Sequence, residues 1–285
     1  MTTITRESAL SRFLRFPLVW LAAGVLVVGA ISIFVGAGPI PALLCAAAAI
    51  VAYRLVMRLV AGRRTPELAV GHVVRDTLIG AALAVGFLVV SVGTITLLGG
   101  YQFTFDGAAG LRAVPALLAI AIGGAVTEEL LFRGLGLQAI EKLGGSGIAL
   151  VVTAALFGLV HAANPGATLW SSVAIAVEAG GLLGAAFMWR RSLWLVFSLH
   201  ATWNALEQAI GIPVSGHVAP GLLVATTHGP ALLTGGDFGL EGSIVTMAVS
   251  LVLTTILLVA GRRNLQPLSL PRARRPLAAS AQRPA

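Results

Sequence analysis

The stretch GGAVTEELLFRG, residues 123–134, places Glu128, Glu129 and Arg133 in a run that is apolar on both sides. An ionisable group at the centre of a bilayer-spanning helix costs about 2.5–3.5 kcal/mol on insertion scales. Residues four apart share a helix face, so Glu129 and Arg133 are expected to pair. Glu128 projects about 100° away from Glu129 and has no partner on its own helix. The plain alternative is that all three form a buried structural cluster. One arginine neutralises one carboxylate, however, and the second is left over.

The composition around this stretch is that of a polytopic membrane protein. Of 285 residues, 57% are hydrophobic and 11% are charged, and the mean hydropathy is +0.94. Soluble domains carry about 25% charged residues. Eleven acidic and 19 basic side chains cannot cover a soluble globule of this length. The net charge is +8, and Lys142 is the single lysine among the basic residues. The arginines gather in short loops and at the ends of apolar runs, which reads as a topology signal. No basic stripe or aromatic-interleaved module points to nucleic acid. Cys45 is the only cysteine, which excludes an intramolecular disulfide and a thiolate metal cluster. In ALLCAAAAI it reads as a small buried residue with nothing nearby to activate it.

Eight candidate spans follow from the apolar runs, at about 15–36, 39–60, 78–99, 113–141, 147–163, 169–189, 192–210 and 243–261. The first run is longer than the apolar region of a signal peptide and lacks a closing A-x-A site, so it reads as a retained span. Loop charges test the count. Arg6, Arg12 and Arg15 precede the first span; Arg63, Arg64 and Arg75 lie between the second and third. Lys142 follows the fourth, Arg190 and Arg191 follow the sixth, and Arg262 and Arg263 follow the eighth. The intervening loops hold only Arg112. Positive charge that alternates with each crossing predicts an even number of spans with both termini cytoplasmic.

The expected fold class is therefore all-α: a membrane helix bundle of about eight transmembrane helices over residues 1–263, with its functional core at about 110–210. The Pro- and Arg-rich segment 264–285 is expected to be a disordered tail whose arginines rest on anionic headgroups. The Gly- and Pro-rich loop 211–242 falls on the non-cytoplasmic side, with APGLLVATT (219–227) as a candidate re-entrant or interfacial segment.

Three further polar places lie inside spans. FGLVHAAN (157–164) carries His161, with Phe157 one turn earlier on the same face. A lone histidine near an interface also has an ordinary structural reading. SLHATWNAL (198–206) carries His200 and Asn204 four apart, so both project together. Such a pair can equally glue neighbouring helices, for about 0.6 kcal/mol each. AIAVEAGGLLGA (174–185) carries Glu178 among glycines that permit close helix approach. Glu178 either accepts a hydrogen bond from His161 or His200, or faces a water-filled cavity.

Taken together, two histidines, an amide and a surplus carboxylate on three helices make a hydrolytic inventory. A partly desolvated carboxylate takes a proton from water, and a histidine shares that role or protonates a leaving amine. A second histidine and an asparagine donate hydrogen bonds to a tetrahedral oxyanion. Exclusion of bulk water strengthens each of these interactions.

These residues, in this order, resemble the CPBP family of CAAX proteases and bacteriocin-processing enzymes, also called the Abi family. Its pattern is E-E-x-x-x-R, then F-x-x-x-H, then H-x-x-x-N or H-x-x-x-D. Here it is met by Glu128, Glu129 and Arg133, by Phe157 and His161, and by His200 and Asn204. GLEGS at 239–243 is also similar to the family. The resemblance implies an intramembrane endopeptidase. Glu128 is then the general base, His161 its catalytic partner, and His200 with Asn204 the oxyanion-stabilising pair. Glu129 and Arg133 become a supporting ion pair, with Phe157 and Glu178 also in support. A cofactor-free mechanism is expected, with zinc on Glu128, His161 and His200 as the alternative. No H-E-x-x-H is present.

The partners expected are membrane lipids and a membrane-associated peptide or protein substrate, including one with a lipidated or embedded terminus. No nucleic acid is expected. The bias from lysine to arginine suggests a GC-rich bacterial genome and so a bacterial plasma membrane. Two other functional classes stay open: a non-catalytic membrane scaffold or immunity factor of the same family, and a proton-coupled transporter with a Glu/His relay. A transporter would show paired broken helices in two halves, and the sequence has no internal repeat.

Overall fold

Proline at the first helical turn, where its missing N–H costs nothing, starts two long apolar helices: α2 (Pro17–Ser32) and α3 (Pro39–Leu59). The computed structural model describes residues 9–105 and 108–267. The short helix α1 (Ala9–Leu14) precedes them. After α3 come α4 (Val73–Leu97), strand β1 (Tyr101–Phe105) and α5 (Ala108–Glu129). α5 widens without a break into a π-helical stretch, Leu130–Leu137, and then continues as α6 (Gln138–His161). α7 (Leu169–Ile175) likewise widens into a second π-helical stretch, Ala176–Gly181, before α8 (Leu182–Arg190). The rest comprises α9 (Leu193–Ala209), strand β2 (Leu223–Thr227), the single turn α10 (Ala231–Thr234) and α11 (Ile244–Ala260). The chain is mostly helical, at 78%.

Five stretches are long and apolar enough to cross a membrane: Pro17–Ala37, Pro39–Leu59, Val70–Leu97, Gly110–His161 and Leu169–Arg190. The fourth runs for 52 residues. It is broken at Gly145, whose backbone (φ 82, ψ 172) is accessible to glycine and not helical. The break falls between the fourth and fifth runs read from the sequence. α11, at 17 residues, is a shorter apolar helix. Large apolar side chains cover the outer faces: Leu26, Val74, Leu97 and Leu169 are each at least 74% exposed. On a soluble protein so much apolar surface would be a liability; against lipid it is the expected exterior.

The all-α expectation has one exception. β1 and β2 pair antiparallel, from Tyr101 opposite Thr227 to Phe105 opposite Leu223. Most of APGLLVATT is thus strand rather than a re-entrant segment. Pro220 and Gly221 oppose a helix, and Val224, Thr226 and Thr227 favour an extended chain. The rest of loop 211–242 is fastened to the bundle. Tyr101 donates its hydroxyl hydrogen to the Thr234 carbonyl. The Asn164 amide donates to the Ser215 carbonyl at 3.0 Å, and the Trp170 indole to Gly242 at 2.8 Å.

The tail also begins later than expected. Arg191 donates to the Asn264 carbonyl at 2.6 Å, and the Ser146 amide to the Gln266 carbonyl at 3.1 Å, so 264–267 lie against the bundle. The disorder expected for the remainder of the tail, and the topology reading of Arg6, fall on 268–285 and 1–8, outside the described residues.

The core is built where helices meet closely: α4 on α9, α3 on α5, and α5 on α9. Phe87 of α4 packs on Trp203 of α9 with ring centroids 4.5 Å apart. Gly80 sets the α4–α9 approach, since a Cβ there would stand 2.3 Å from the Leu195 carbonyl oxygen. Gly80→Ala is expected to force these helices apart at a cost of about 1–3 kcal/mol. The measurement is Tm in detergent, which should fall. Gly86→Ala, on the same helix with nothing within 4 Å of the added methyl, should leave Tm unchanged or raise it.

Candidate active site

Glu128 and Glu129 end α5 where it widens, and Arg133 stands within the π-helical stretch that follows. π-helical turns are rare and occur often at functional sites. Here one carries Arg133 and the other carries the carbonyls to which Arg133 binds. Arg133 Nη1 donates to Glu129 Oε1 at 2.8 Å, as the four-residue spacing predicts. Its Nη2 donates to the carbonyls of Ala179 and Gly180 at 2.7 and 3.1 Å. Both side chains are fully buried, at 1% and 0% exposure.

Glu129 has a second partner. Nδ1 of His200 lies 2.8 Å from the same Oε1. A carboxylate accepts, so Nδ1 carries the hydrogen and Nε2 is turned away from Glu129. Nε2 lies 3.9 Å from Glu128 Oε2. Two adjacent carboxylates therefore face the two nitrogens of one imidazole. They differ sharply in access: the Glu128 side chain is 35% exposed and that of Glu129 is 0%.

His161 closes α6. Its Nδ1 lies 2.7 Å from the Phe157 carbonyl oxygen one turn earlier. A carbonyl only accepts, so Nδ1 carries the hydrogen, and Nε2 of the neutral ring is left as an acceptor. Phe157 joins the two histidines. Its ring stacks on His161 at 4.4 Å between centroids and stands 6.3 Å from that of His200. The Arg133 guanidinium lies 5.0 Å from the Phe157 centroid, and Phe132 meets the same ring edge-on at 4.9 Å. Among the described residues no hydrogen bond or ion pair joins His161 directly to Glu128. Asn204 is half-buried one turn beyond His200 on α9. Glu128, Glu129, Arg133, Phe157, His161 and His200 thus form one contiguous group, to which no hydrogen bond among the described residues joins Asn204.

Glu178 is not part of it. The expected hydrogen bond to His161 or His200 is absent, and neither carboxylate oxygen has a hydrogen-bond partner among the described residues. Its electrostatic neighbours are instead Glu207 and Glu241. Glu207 ends α9, where it accepts from the Trp203 indole at 2.8 Å and the Leu240 amide at 2.9 Å. Glu241, in GLEGS, accepts from the Ser215 amide and hydroxyl at 3.2 and 3.1 Å. Burial pushes the Glu241 carboxyl above its usual value. These two carboxylates escaped the sequence reading because one sits at a span's end and the other in a loop. The available signal was an acidic side chain in each of two runs with hardly any other charge. For the zinc alternative, no three His, Cys, Asp or Glu side chains among the described residues are gathered as a metal-ligand group.

Residues 110–206 match the family model described as type II CAAX prenyl endopeptidase Rce1-like. The match spans all three motifs and agrees with the resemblance drawn from them. With the five apolar stretches it supports an integral membrane protein, about a third of which is similar to a protease family. No curated protein and no solved structure matches the chain.

Removing one member of a buried ion pair leaves the other charge uncompensated, at a cost of about 3–5 kcal/mol. Arg133→Met should therefore lower Tm strongly, because it strands Glu129 and frees two carbonyls. Glu128→Gln, at the half-buried carboxylate that makes no hydrogen bond among the described residues, should leave Tm within the error of the same detergent melt.

Proposed function

We propose that this membrane protein, with its Rce1-like core at residues 110–206, is a glutamate-dependent intramembrane endopeptidase acting on a membrane-associated protein or peptide. The observation that carries the reading is the division of labour between adjacent carboxylates. Glu129 is consumed by Arg133 and His200, while the half-buried Glu128 has an oxygen, Oε2, that lies 3.9 Å from His200 Nε2 and has no hydrogen-bond partner among the described residues.

In this reading Glu128 takes a proton from a water molecule whose oxygen attacks the scissile carbonyl carbon. The π electrons of the carbonyl move to its oxygen. That oxyanion accepts hydrogen bonds from Nε2–H of His200, in its protonated form, and from the Asn204 amide. The Glu129 carboxylate on Nδ1 holds the His200 ring in place. His161, with its hydrogen fixed on Nδ1 by the Phe157 carbonyl, has Nε2 free to share the base role. The proton taken from water then passes to the leaving amine nitrogen as the C–N bond breaks. Arg133 and Phe157 hold the group without touching the reacting atoms. No cofactor is required. Glu178 has no role in these steps.

The chain crosses the membrane eight times in this proposal, with α5 and its π-helical extension as one span and α6 as the next. Both termini are cytoplasmic, and loop 211–242 caps the outer end. The arginine-rich, lysine-poor composition is what supports a bacterial plasma membrane as its location. The family model is named for CAAX prenyl endopeptidases. Substrates with a lipidated or membrane-embedded terminus are the chemical class to screen.

The test compares membrane proteomes of cells carrying wild type or Glu128→Gln and reads new C-termini. Loss of a general base lowers rate by about 10²–10⁴-fold, so the cleaved termini should vanish with Glu128→Gln and with His161→Ala. Persistence of the same termini in Glu128→Gln would sink the assignment. On a substrate so identified, Asn204→Ala should lower kcat by about 10²–10³-fold with little change in KM, as for loss of one oxyanion donor. A chelator should leave the rate unchanged.

A further inference from the structure

The turn that follows α3 holds a feature unrelated to the peptide chemistry. A cavity of about 510 Å³ is lined by Arg54, Arg58, Gly62, Arg63, Arg64 and Thr65. Four of its six lining residues are arginine and none is acidic. The one nearby carboxylate, Glu67, is buried and already used: it accepts from Arg63 at 2.9 Å and from the Tyr53 hydroxyl. Arg54 is turned toward the Leu68 carbonyl at 3.2 Å. The exposed side chains of Arg58 and Arg64 make no hydrogen bond or ion pair among the described residues. A further arginine, Arg15, lies against Gly62, with its Nε 2.7 Å from where a Cβ would stand. A concave site lined by one sign of charge concentrates counter-ions. The planar fork of arginine matches phosphate oxygens in pairs.

The apolar surroundings say which phosphate. Val51, Leu55 and Leu59 recur every fourth residue along α3, so they form one stripe. They are 56%, 50% and 69% exposed. Arg54 and Arg58 form the adjoining stripe on the same helix. An apolar stripe that leads directly into a basic cavity fits a molecule with acyl chains at one end and an anionic phosphate at the other. A soluble phosphate compound would have no use for the stripe. Basic pockets on the cytoplasmic side of membrane helices bind anionic headgroups by this logic.

We propose that this cavity is a specific site for one anionic phospholipid, with its phosphate held by Arg58, Arg64 and Arg54 and its chains along Val51, Leu55 and Leu59. The proposal rests on the chain's being a membrane protein and is independent of the peptidase assignment. The test is native mass spectrometry of the full chain. It is purified in detergent and exposed to equal amounts of phosphatidylglycerol and phosphatidylcholine with the same acyl chains.

The wild type should retain one phosphatidylglycerol with about tenfold preference. The doubly substituted Arg58→Gln/Arg64→Gln, both exposed positions with no fold role, should lose that preference while keeping its Tm. Arg112→Gln/Arg262→Gln removes equal charge elsewhere and should retain it. Three outcomes overturn the proposal. The wild type shows no preference. The control pair abolishes the preference equally, which assigns it to bulk charge. Or inorganic phosphate alone displaces the lipid, which assigns the site to soluble phosphates.

Discussion

The buried ion pair between Glu129 and Arg133 is the constraint on which the remaining structure depends. Two full charges at 0% and 1% exposure in an apolar bundle are tolerable only when every remaining donor and acceptor is engaged. Arg133 meets most of this demand by reaching across to the carbonyls of Ala179 and Gly180, its Nε alone having no partner among the described residues. Glu129 meets part of it by accepting from His200. The pair thus ties α5, the second π-helical stretch and α9 at one point. Phe157 brings α6 to the same point by lying under the guanidinium. A cluster that satisfies one charge has, as a by-product, aligned both histidines.

The π-helical stretch that carries Arg133 is itself braced from the other side. The Gln138 amide donates to the carbonyls of Gly134 and Arg133 at 2.9 and 3.3 Å. Tyr53 of α3 reaches the same Gly134 carbonyl at 3.2 Å. Gln138 in turn accepts from Arg63 at 2.8 Å, and Arg63 is also bonded to Glu67. A widened helical turn has poorer hydrogen-bond geometry than an α-helix and needs such external partners. The turn between α3 and α4 therefore supports the helix that presents the two carboxylates, although it lies outside the region matched by the family model.

What could be read from the sequence was what depends on spacing along one helix. The Glu129–Arg133 bond follows from a four-residue separation, and so do the shared face of His200 and Asn204 and the approach of Phe157 to His161. The break at Gly145 was legible as a gap between apolar runs. Contacts between helices were not legible. His200 and Glu129 are 71 residues apart, and no periodicity relates them. The hydrogen bond expected of Glu178 is absent for the same reason. Its glycine-rich neighbourhood announced close packing but did not say against which partner, and its electrostatic neighbours proved to be carboxylates. The strand at 223–227 was hidden by its own apolarity. In a chain this hydrophobic, Leu, Val and Ala in a row suggest the bilayer before they suggest a sheet.

Adjacent identical residues acquire different chemistry only through different surroundings, and here the helix geometry supplies the difference. A step of about 100° separates successive side chains. That step turns Glu129 into the bundle, toward Arg133 and His200, and leaves Glu128 at its margin. Were both carboxylates turned inward, a single arginine could not neutralise them. Were both turned outward, the His200 ring would lose the acceptor that orients it. The arrangement with one of each gives an imidazole fixed at Nδ1 by a buried carboxylate and facing, at Nε2, a carboxylate that water can reach. Such a histidine is preorganised without being occluded, which is the condition a transition-state donor has to meet.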